Sequence, residues 1–201
     1  MQASRREDSK AALKAKIVEA AARLFGAKPY DAVQMDDVAR AAGIGKPTLY
    51  RYFPSKDELF LLVTERALER LTSGLSALRD GHSPSPDKLR SMVDALVDAL
   101  GTSFVSLRAL SGENPPLAAR WRNLFRGHRE AIMSAFSEVL AAGAASGDFR
   151  MSDTTLMPAM IVGMVRGALM AVPKASHARL AEVAADLVIE GVARRAARRR
   201  G

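Results

Sequence analysis

Apolar residues recur at helical spacing from the beginning of the chain. Three or four positions separate them, and polar or charged residues fill the gaps, so they share one face of an α-helix. The residues with this spacing are Leu13, Ile17, Ala20, Ala21 and Leu24. We predict a first amphipathic helix that starts at Ser9 and stops between Gly26 and Pro29, because proline cannot continue a helix.

Two shorter helical patterns follow, at residues 35–42 and 46–53. Gly43 lies between them, where a tight turn needs a residue without a side chain. Pro47 lies in the first turn of the second pattern, where its missing N–H does no harm. Three consecutive helices with a glycine in the last turn predict a helix-turn-helix unit.

A long helix is predicted to start at residue 56 and to run to about Arg79. Ser55 and Glu58 have the spacing of a capping box at its start. Glycines and prolines then divide the rest of the chain. The further predicted helices are 86–100, 102–112, 116–142, 154–171 and 177–198, with Gly101 separating the first two. No segment has the pattern of a strand, so the predicted fold is all-α.

Composition supports helices and narrows the function classes. Hydrophobic residues make up 48% of the chain and aromatic residues only 5%, and cysteine is absent. Without cysteine the chain has no disulfides or thiolate metal sites, which suits a reducing cytoplasm. No apolar run approaches the roughly 18 residues of a spanning helix, and the N-terminus lacks the apolar stretch of a secretory signal. The sequence predicts a cytoplasmic protein with no membrane partner.

The formal net charge of +8 is unevenly placed. Residues 1–56 carry a balance of +5, and the last 11 residues carry another +5, all of it from arginine. A basic head on a nearly neutral body suggests a polyanionic partner. A charged, solvated surface is the alternative interpretation.

The segment GIGKPTLYRYFPSK, residues 43–56, contains a Gly-Lys pair with a threonine close by. A nucleotide phosphate loop, however, requires Gly-x-x-x-x-Gly-Lys followed by Ser or Thr. Arg40 stands at the position of its first glycine, and Pro47 at that of the hydroxyl residue. We therefore reject the nucleotide-binding interpretation.

The same segment fits the phosphates of DNA. In a helix-turn-helix the second paired helix enters the major groove, and its N-terminal residues meet base edges. Residues just beyond that tip, and the start of the next helix, lie beside the sugar-phosphate backbone. The predicted DNA-binding residues are Lys46, Pro47, Thr48, Tyr50, Arg51, Tyr52 and Lys56. Alternatively, Tyr50 shares a core with Leu49 and Phe53, and the three cations only solvate the surface.

Residues 17–60 resemble the DNA-binding domain of the TetR family of one-component bacterial regulators. The motifs AARLF, DDVARAAG, TLYRYF and SKDELF occur in the order and spacing of that family. The resemblance implies that Lys46, Pro47, Thr48 and Arg51 approach bases, and that Tyr50, Tyr52 and Lys56 hold phosphates. We assign residues 1–54 to the helix-turn-helix domain, with a disordered arm at 1–8, and residues 55–201 to a second helical domain. The resemblance implies that this larger domain binds an effector and dimerises.

Three positions depart from the family pattern. Pro29 stands where glycine is common, and Tyr52 stands where histidine is frequent. Gln34 replaces the usual Thr or Ser cap of the second helix and is a weaker cap. Each departure affects the expected local geometry, but none removes a group that reads the groove.

The two last helices carry the features of a dimer face. Gly163 and Gly167 are four residues apart, which lets another helix approach closely, and the final helix has an apolar stripe. The predicted dimer residues are Gly163, Gly167, Leu180, Val183, Leu187 and Val188. Packing within one chain is the alternative.

Methionines and aromatic residues in the middle helices are candidates for an effector pocket, because such side chains line adaptable apolar cavities. They are Met92, Leu96, Phe104, Leu107, Trp121, Phe125, Met160 and Met164. Each of them also fits an ordinary core. The few buried-looking charges there favour a small apolar or aromatic effector.

The sequence offers little support for an enzyme. Its three histidines are scattered, and His128-Arg129-Glu130 lacks the second histidine of a zinc helix. We predict no catalytic residue, no metal site and no cofactor. An architectural DNA binder would explain the charge but leaves the larger helical region without a task. The predicted function is therefore a homodimeric transcriptional repressor that a small molecule releases from a palindromic operator.

Overall fold

The computed structural model describes the backbone of residues 2–113, 115–150, 153–172 and 176–192, and the side chains of these ranges except 2–6 and 102–113. Within them the chain forms eight α-helices and one 3-10 turn, with no strand, which confirms the all-α fold. The helices are α1 (Gln2–Ala27), α2 (Met35–Ala41), α3 (Lys46–Tyr52), α4 (Lys56–Asp80), α5 (Ser85–Glu113), α6 (Pro115–Ser146), α7 (Leu156–Ala171) and α8 (His177–Val192). The 3-10 turn is Tyr30–Ala32. None of these helices is both long and apolar enough to cross a membrane.

The chain divides into two compact units. Unit 1 comprises the chain up to Leu68 together with residues 101–125, and unit 2 comprises residues 69–100 and the chain from Arg126 onward. Helices α4, α5 and α6 therefore contribute residues to both units. The assignment of 1–54 and 55–201 as functional domains stays a prediction.

An aromatic cluster lies in the core of unit 1. The rings of Phe25 and Tyr30 stack with centroids 6.0 Å apart, and Phe60 meets both rings edge-on at 5.1 and 5.2 Å. Leu49 and Phe53 of the α3 segment are buried in the same unit. Aromatic packing thus joins the 3-10 turn, α1 and α4. Such ring pairs stabilise the fold by more than the burial of their apolar area alone provides.

The core of unit 2 is mainly aliphatic. Leu89 and Met92 of α5, Phe136 of α6 and Ala185 of α8 are fully buried. At the surface, the Arg90 guanidinium lies 2.6 Å from the Asp186 carboxylate and links α5 to α8.

The first helix starts earlier than the sequence predicted. Residues expected to form a disordered arm are helical from Gln2, seven positions before Ser9. Extending an existing helix costs far less than nucleating one, and Ala, Arg, Glu and Lys have high helix propensity. The missing apolar periodicity therefore marked the end of the buried face rather than the end of the helix.

Gly101 does not separate two helices, contrary to the prediction. Helix α5 runs through it from Ser85 to Glu113. A glycine in a helix interior costs only about 1 kcal/mol relative to alanine. The buried neighbours Leu96, Val97 and Leu100 outweigh that cost.

The remaining helix ends differ by a few residues. Helix α6 continues to Ser146 and ends at Gly147, whose φ of 84° is the left-handed conformation common after a helix. Helix α7 starts at Leu156 rather than 154. In the turn just before it, the Asp153 carboxylate accepts hydrogen bonds from the amides of Thr155 and Leu156 at 2.8 and 2.9 Å. These bonds also lower the pKa of Asp153. The predicted end of the last helix at 198 lies outside the described residues.

Candidate nucleic-acid interface

The turn between α2 and α3 has the geometry that its sequence predicts. Gly43 has a φ of 64°, which only glycine adopts readily. Its amide donates to the Arg40 carbonyl at 3.1 Å, and the Ile44 amide donates to the Ala39 carbonyl at 3.0 Å. These bonds close the end of α2 and direct the chain into α3.

One face of α3 anchors it, and the other face is open. Leu49 is fully buried, and Phe53 directly after the helix is only 4% exposed. The open face contains exposed Lys46, Pro47, Tyr50 and Arg51 with half-buried Thr48 and Tyr52. Six of the seven predicted DNA-binding residues therefore lie along this one short helix, on a rigid buried base.

At the end of α3 an arginine and a tyrosine contact each other. The Arg51 guanidinium lies 5.7 Å from the centroid of the Tyr52 ring, within range of a cation–π interaction. Such a contact restrains a flexible side chain without using its hydrogen-bond donors. Arg51 thus keeps its donors available for a guanine edge or a phosphate.

Lys46 at the tip of α3 has a carboxylate partner that sequence reasoning missed. Its Nζ lies 2.9 Å from Oδ1 and 3.2 Å from Oδ2 of Asp36, in the first turn of α2. The hydrogen bond and charge of Asp36 raise the pKa of Lys46, so the ammonium stays charged at neutral pH. A base edge or a phosphate of DNA must compete with Asp36 for this ammonium.

Lys56, at the start of α4, also has partners inside the protein. Its Nζ donates to the backbone carbonyls of Tyr30 at 3.0 Å and Val33 at 3.2 Å. It also lies 4.0 Å from the centroid of the Tyr30 ring. Partial burial lowers the pKa of Lys56. Backbone carbonyls carry no sequence signature, so nothing in the residue order points to this arrangement.

A polar cleft of about 500 Å³ lies beside the tip of α3. Its walls come from the start of α2, from α3 and from the start of α4. The lining residues are Gln34, Met35, Asp36, Asp37, Lys46, Tyr50, Pro54, Ser55 and Lys56. Gln34 makes no side-chain cap to α2, as its weak capping ability predicts. The Ser55 hydroxyl accepts a hydrogen bond from the Glu58 amide at 3.2 Å, as the capping box predicts.

A second cavity in unit 1 lies between α4 and α6. This groove of about 430 Å³ is lined by Glu58, Leu61, Leu62, Glu65, Arg120, Asn123 and Leu124. None of the predicted effector-pocket residues whose side chains are described lines it. Sequence patterning does not single out such a groove, because its leucines are spaced like core residues.

The predicted pocket residues occupy varied environments. Trp121 is buried, and its ring stacks on Phe125 with centroids 5.7 Å apart in unit 1. In unit 2, Met92 and Leu96 are fully buried, Met164 is half-buried and Met160 is 64% exposed. The side chains of Phe104 and Leu107 lie outside the described set.

The predicted dimer residues lie on α7 and α8. Gly163 and Gly167 are exposed, and a side chain added at either would meet open space. Val183 and Leu187 are exposed, with 48% and 60% of their surface accessible. Leu180 is half-buried, and Val188 belongs to the core of its own chain.

Two family models match this chain. The model of bacterial regulatory proteins of the tetR family matches residues 17–63, and the tetracyclin repressor-like C-terminal domain matches residues 82–170. The chain belongs to the TetR family. The helix-turn-helix at α2 and α3 is thus the DNA-binding element of a TetR-family transcriptional regulator.

Individual relatives agree with this assignment. The TetR-family chain is 38% identical over 79 residues to the HTH-type transcriptional activator FasR of Mycolicibacterium smegmatis. This match covers 39% of the chain and 36% of FasR, so the chain spans about a third of that curated relative's length.

Solved structures show the same fold at low identity. A TetR-family transcriptional regulator from Agrobacterium tumefaciens has a TM-score of 0.72 at 18% identity, covering 91% of this chain and 98% of that one. The transcriptional regulator FadR from Bacillus subtilis, in complex with stearoyl-CoA, has a TM-score of 0.62 at 18% identity, covering 88% and 97%. These likenesses establish the fold alone.

The pairing of Lys46 with Asp36 leads to a prediction for this TetR-family protein. Asp36→Asn should bind a mixed-sequence DNA duplex roughly three to ten times more tightly, because it frees Lys46 and removes a carboxylate near the phosphates. The plot of log affinity against log salt should steepen by about 0.9, the slope of one extra phosphate contact. Fluorescence anisotropy over a salt series measures both.

Glu19→Gln is the matched control. It removes the same charge from a surface pair on α1, where Arg23 lies 2.9 Å from Glu19. This control should leave both quantities unchanged. Equal or weaker binding by Asp36→Asn would mean that the freed Lys46 adds no phosphate contact on DNA of mixed sequence, which would leave its proposed contact with base edges to be tested on an operator.

Proposed function

We propose that this TetR-family protein is a homodimeric, sequence-specific repressor that a small apolar or aromatic effector releases from a palindromic operator. The observation that carries the proposal is the open face of α3, where Thr48 and Arg51 stand beside Lys46 above a buried anchor. Lys46, Pro47, Thr48 and Arg51 face the bases in this proposal. Tyr50 and Tyr52 offer phenolic hydroxyls to the backbone phosphates.

The dimer is supported by the apolar residues left exposed on α7 and α8. Monomeric proteins rarely leave contiguous large apolar patches in water. Met160, Val183 and Leu187 are each about half or more exposed, and Gly163 and Gly167 allow close helix approach. A two-fold dimer presents its two α3 helices to successive major grooves about 34 to 36 Å apart, which calls for an operator with inverted half-sites.

The proposed effector class follows from a stacked aromatic pair and from one structural neighbour. The stacked pair Trp121 and Phe125 suits a flat or apolar ligand. The structurally similar FadR of Bacillus subtilis is in complex with stearoyl-CoA, an amphiphile with a long apolar chain. Long-chain acyl-CoA esters and planar aromatics are therefore the first compounds to test. Effector binding lowers operator affinity through α4, which carries the DNA-binding segment, with a coupling of about 1 to 3 kcal/mol.

Activation of transcription is the second candidate. FasR, named as an activator, is 38% identical over 79 residues. A repressor and an activator use the same DNA contacts and differ in where the operator lies relative to the promoter. In vitro transcription from a genomic promoter that contains the protein's operator distinguishes them: a repressor lowers transcript yield and an activator raises it.

Selection of binding sites from a random duplex pool at near-physiological salt tests the proposal as a whole. Nonspecific charge contacts are suppressed at that salt. We expect enrichment of an inverted repeat. We also expect release of the enriched duplex when the right long-chain acyl-CoA ester or planar aromatic compound is added. If no motif is enriched and binding is lost as salt rises, the protein coats DNA through charge alone and does not read its sequence.

Arg51→Ala should weaken binding to the selected operator about ten- to a hundredfold and relax the preference at one base pair of each half-site. A good bidentate contact to a base is worth about 1 to 3 kcal/mol. Anisotropy titrations with the operator and its single-base variants measure the effect.

Arg23→Ala is the control for Arg51→Ala, because Arg23 is an exposed arginine of unit 1 that belongs to α1 rather than to α3. It should retain the base preference of the unaltered protein. Uniform weakening across all duplexes by Arg51→Ala would assign Arg51 to a phosphate instead.

A further inference from the structure

Three side chains connect the start of α4 to the 3-10 turn that precedes α2. We call Tyr30, Lys56 and Asp57 the loop clamp. Lys56 donates to the carbonyls of Tyr30 and Val33 at 3.0 and 3.2 Å. Asp57 accepts a hydrogen bond from the Tyr30 hydroxyl. Both residues of α4 thus reach back over more than 20 positions to the same turn.

The turn is also held by its own packing. Tyr30 is 5% exposed and lies between Phe25 and Phe60. Burial, followed by the hydrogen bond to Asp57, strongly raises the pKa of Tyr30, so its hydroxyl remains a donor at all physiological pH values. Tyr30 offers DNA almost no accessible surface, because its ring is buried and its hydroxyl donates to Asp57.

The Lys56 ammonium has few N–H donors left for a phosphate. A lysine ammonium has three N–H donors. Two of them are directed at backbone carbonyls, and the nitrogen lies 4.0 Å from the centroid of the Tyr30 ring, within cation–π range. A reach toward DNA would break these contacts and remove Lys56 as a donor to the part-buried Val33 carbonyl, whereas the Tyr30 carbonyl would keep the Val33 amide as a donor.

The clamp acts on the segment that enters α2. Val33 follows the 3-10 turn, and Gln34 after it is the N-cap of α2. Since Gln34 makes no side-chain cap, the start of α2 depends on how the turn before it is held. Helix α2 in turn carries Asp36, the partner of Lys46 at the tip of α3.

We propose that Lys56 is a positioning residue for DNA binding, which orients α2 and α3 through the loop clamp and does not neutralise a phosphate. This inference rests on the proposed DNA contact of α3. It assigns to Lys56 a role opposite to the one expected from the sequence.

Lys56→Met, Tyr30→Phe and the double variant test the proposal on the full-length protein. The probe is a mixed-sequence DNA duplex, so no operator needs to be known. Affinity is measured by anisotropy over a potassium chloride series at a temperature where every variant is folded by circular dichroism. Hydrogen exchange at the amides of Ala32 and Val33 reports on the turn, because both donate within it at 3.0 and 3.2 Å.

Lys56→Met should bind the duplex roughly tenfold more weakly with an unchanged salt slope, and exchange at Ala32 and Val33 should accelerate roughly tenfold, as expected when hydrogen bonds to a charged group are lost. Tyr30→Phe should shift both quantities in the same direction. The double variant should fall short of the sum of the two effects, because both side chains restrain one turn.

Two results would overturn the inference. A salt slope lower by about 0.9 in Lys56→Met would show a lost phosphate contact. Unchanged affinity of the folded variant would show that Lys56 supports stability only. If Lys56→Met does not fold, Tyr30→Phe decides alone, since weaker binding at an unchanged slope supports the clamp and unaltered binding refutes it. Failure of the unaltered protein to bind any duplex would instead reject the proposed function.

Discussion

Leu187→Asp should convert the protein to a monomer and weaken operator binding roughly a hundredfold or more. Leu187 is 60% exposed on α8, beside exposed Val183, and the described residues of its own chain leave most of its surface open. In the proposed dimer a second copy buries it, and a carboxylate there would lie without a partner in an apolar interface. A monomer has only one α3 helix and can contact only one half-site. It loses the high effective concentration at which a dimer's second α3 helix meets the second half-site.

Sedimentation velocity and anisotropy measure these two effects on the same sample. Ala131→Asp is the matched control, because it places the same charge on an exposed position of α6. The control should remain dimeric and bind the operator. A Leu187→Asp protein that sediments like the unaltered chain would place the dimer face elsewhere.

Gly143→Ala should lower the free energy of unfolding by about 2 to 3 kcal/mol, the upper range for overpacking a core. A Cβ at this position of α6 would overlap the ring of Phe149 and would lie 2.9 Å from the Ser85 Cβ. Phe149 is only 4% exposed, and its amide donates to the Gly143 carbonyl at 3.0 Å. The ring therefore has little room to move aside. The melting temperature, followed by circular dichroism, should fall by roughly 5 to 10 °C.

Gly127→Ala in the same helix is the control, with an effect of opposite sign. Nothing lies within 4 Å of the added Cβ, and the residue is exposed. Alanine should therefore stabilise α6 by up to about 1 kcal/mol through helix propensity. If both variants shifted the melting temperature alike, propensity rather than the contact with Phe149 would govern position 143.

The helix-turn-helix could be predicted in detail because its determinants are local. Gly43, Pro47 and the buried pair Leu49 and Phe53 lie within a few turns of one another, and each imposes a backbone or packing requirement that residue order displays. The structure places a left-handed glycine, two short helices and a buried anchor where that pattern requires them.

The glycines show where prediction from the local sequence fails. Gly43, Gly101 and Gly143 look alike in the sequence. The first forms a turn with positive φ, the second lies inside a continuous helix and the third makes room for Phe149. Backbone freedom permits all three outcomes. Neighbours distant in the chain select among them, and their positions are not encoded near the glycine itself.

The apolar residues of unit 2 show a related limit. Val183, Leu187 and Val188 belong to one predicted stripe of α8, yet the first two are exposed and the third is buried. Periodicity gives the direction in which a side chain points, but not whether the same chain or another copy covers it. Met92 and Met160, both predicted to line a pocket, likewise differ from full burial to 64% exposure.

By itself the sequence determined the all-α class, the helix-turn-helix, its family and the residues on the open face of α3, because helix periodicity and turn chemistry act over a few residues. Only the tertiary structure decided the partners of the cations. Lys46 meets Asp36 ten residues away, and Lys56 meets backbone carbonyls more than 20 residues away. A charged side chain on a helix surface has many possible partners at similar distances in the sequence. Only folding brings one of them within hydrogen-bond distance.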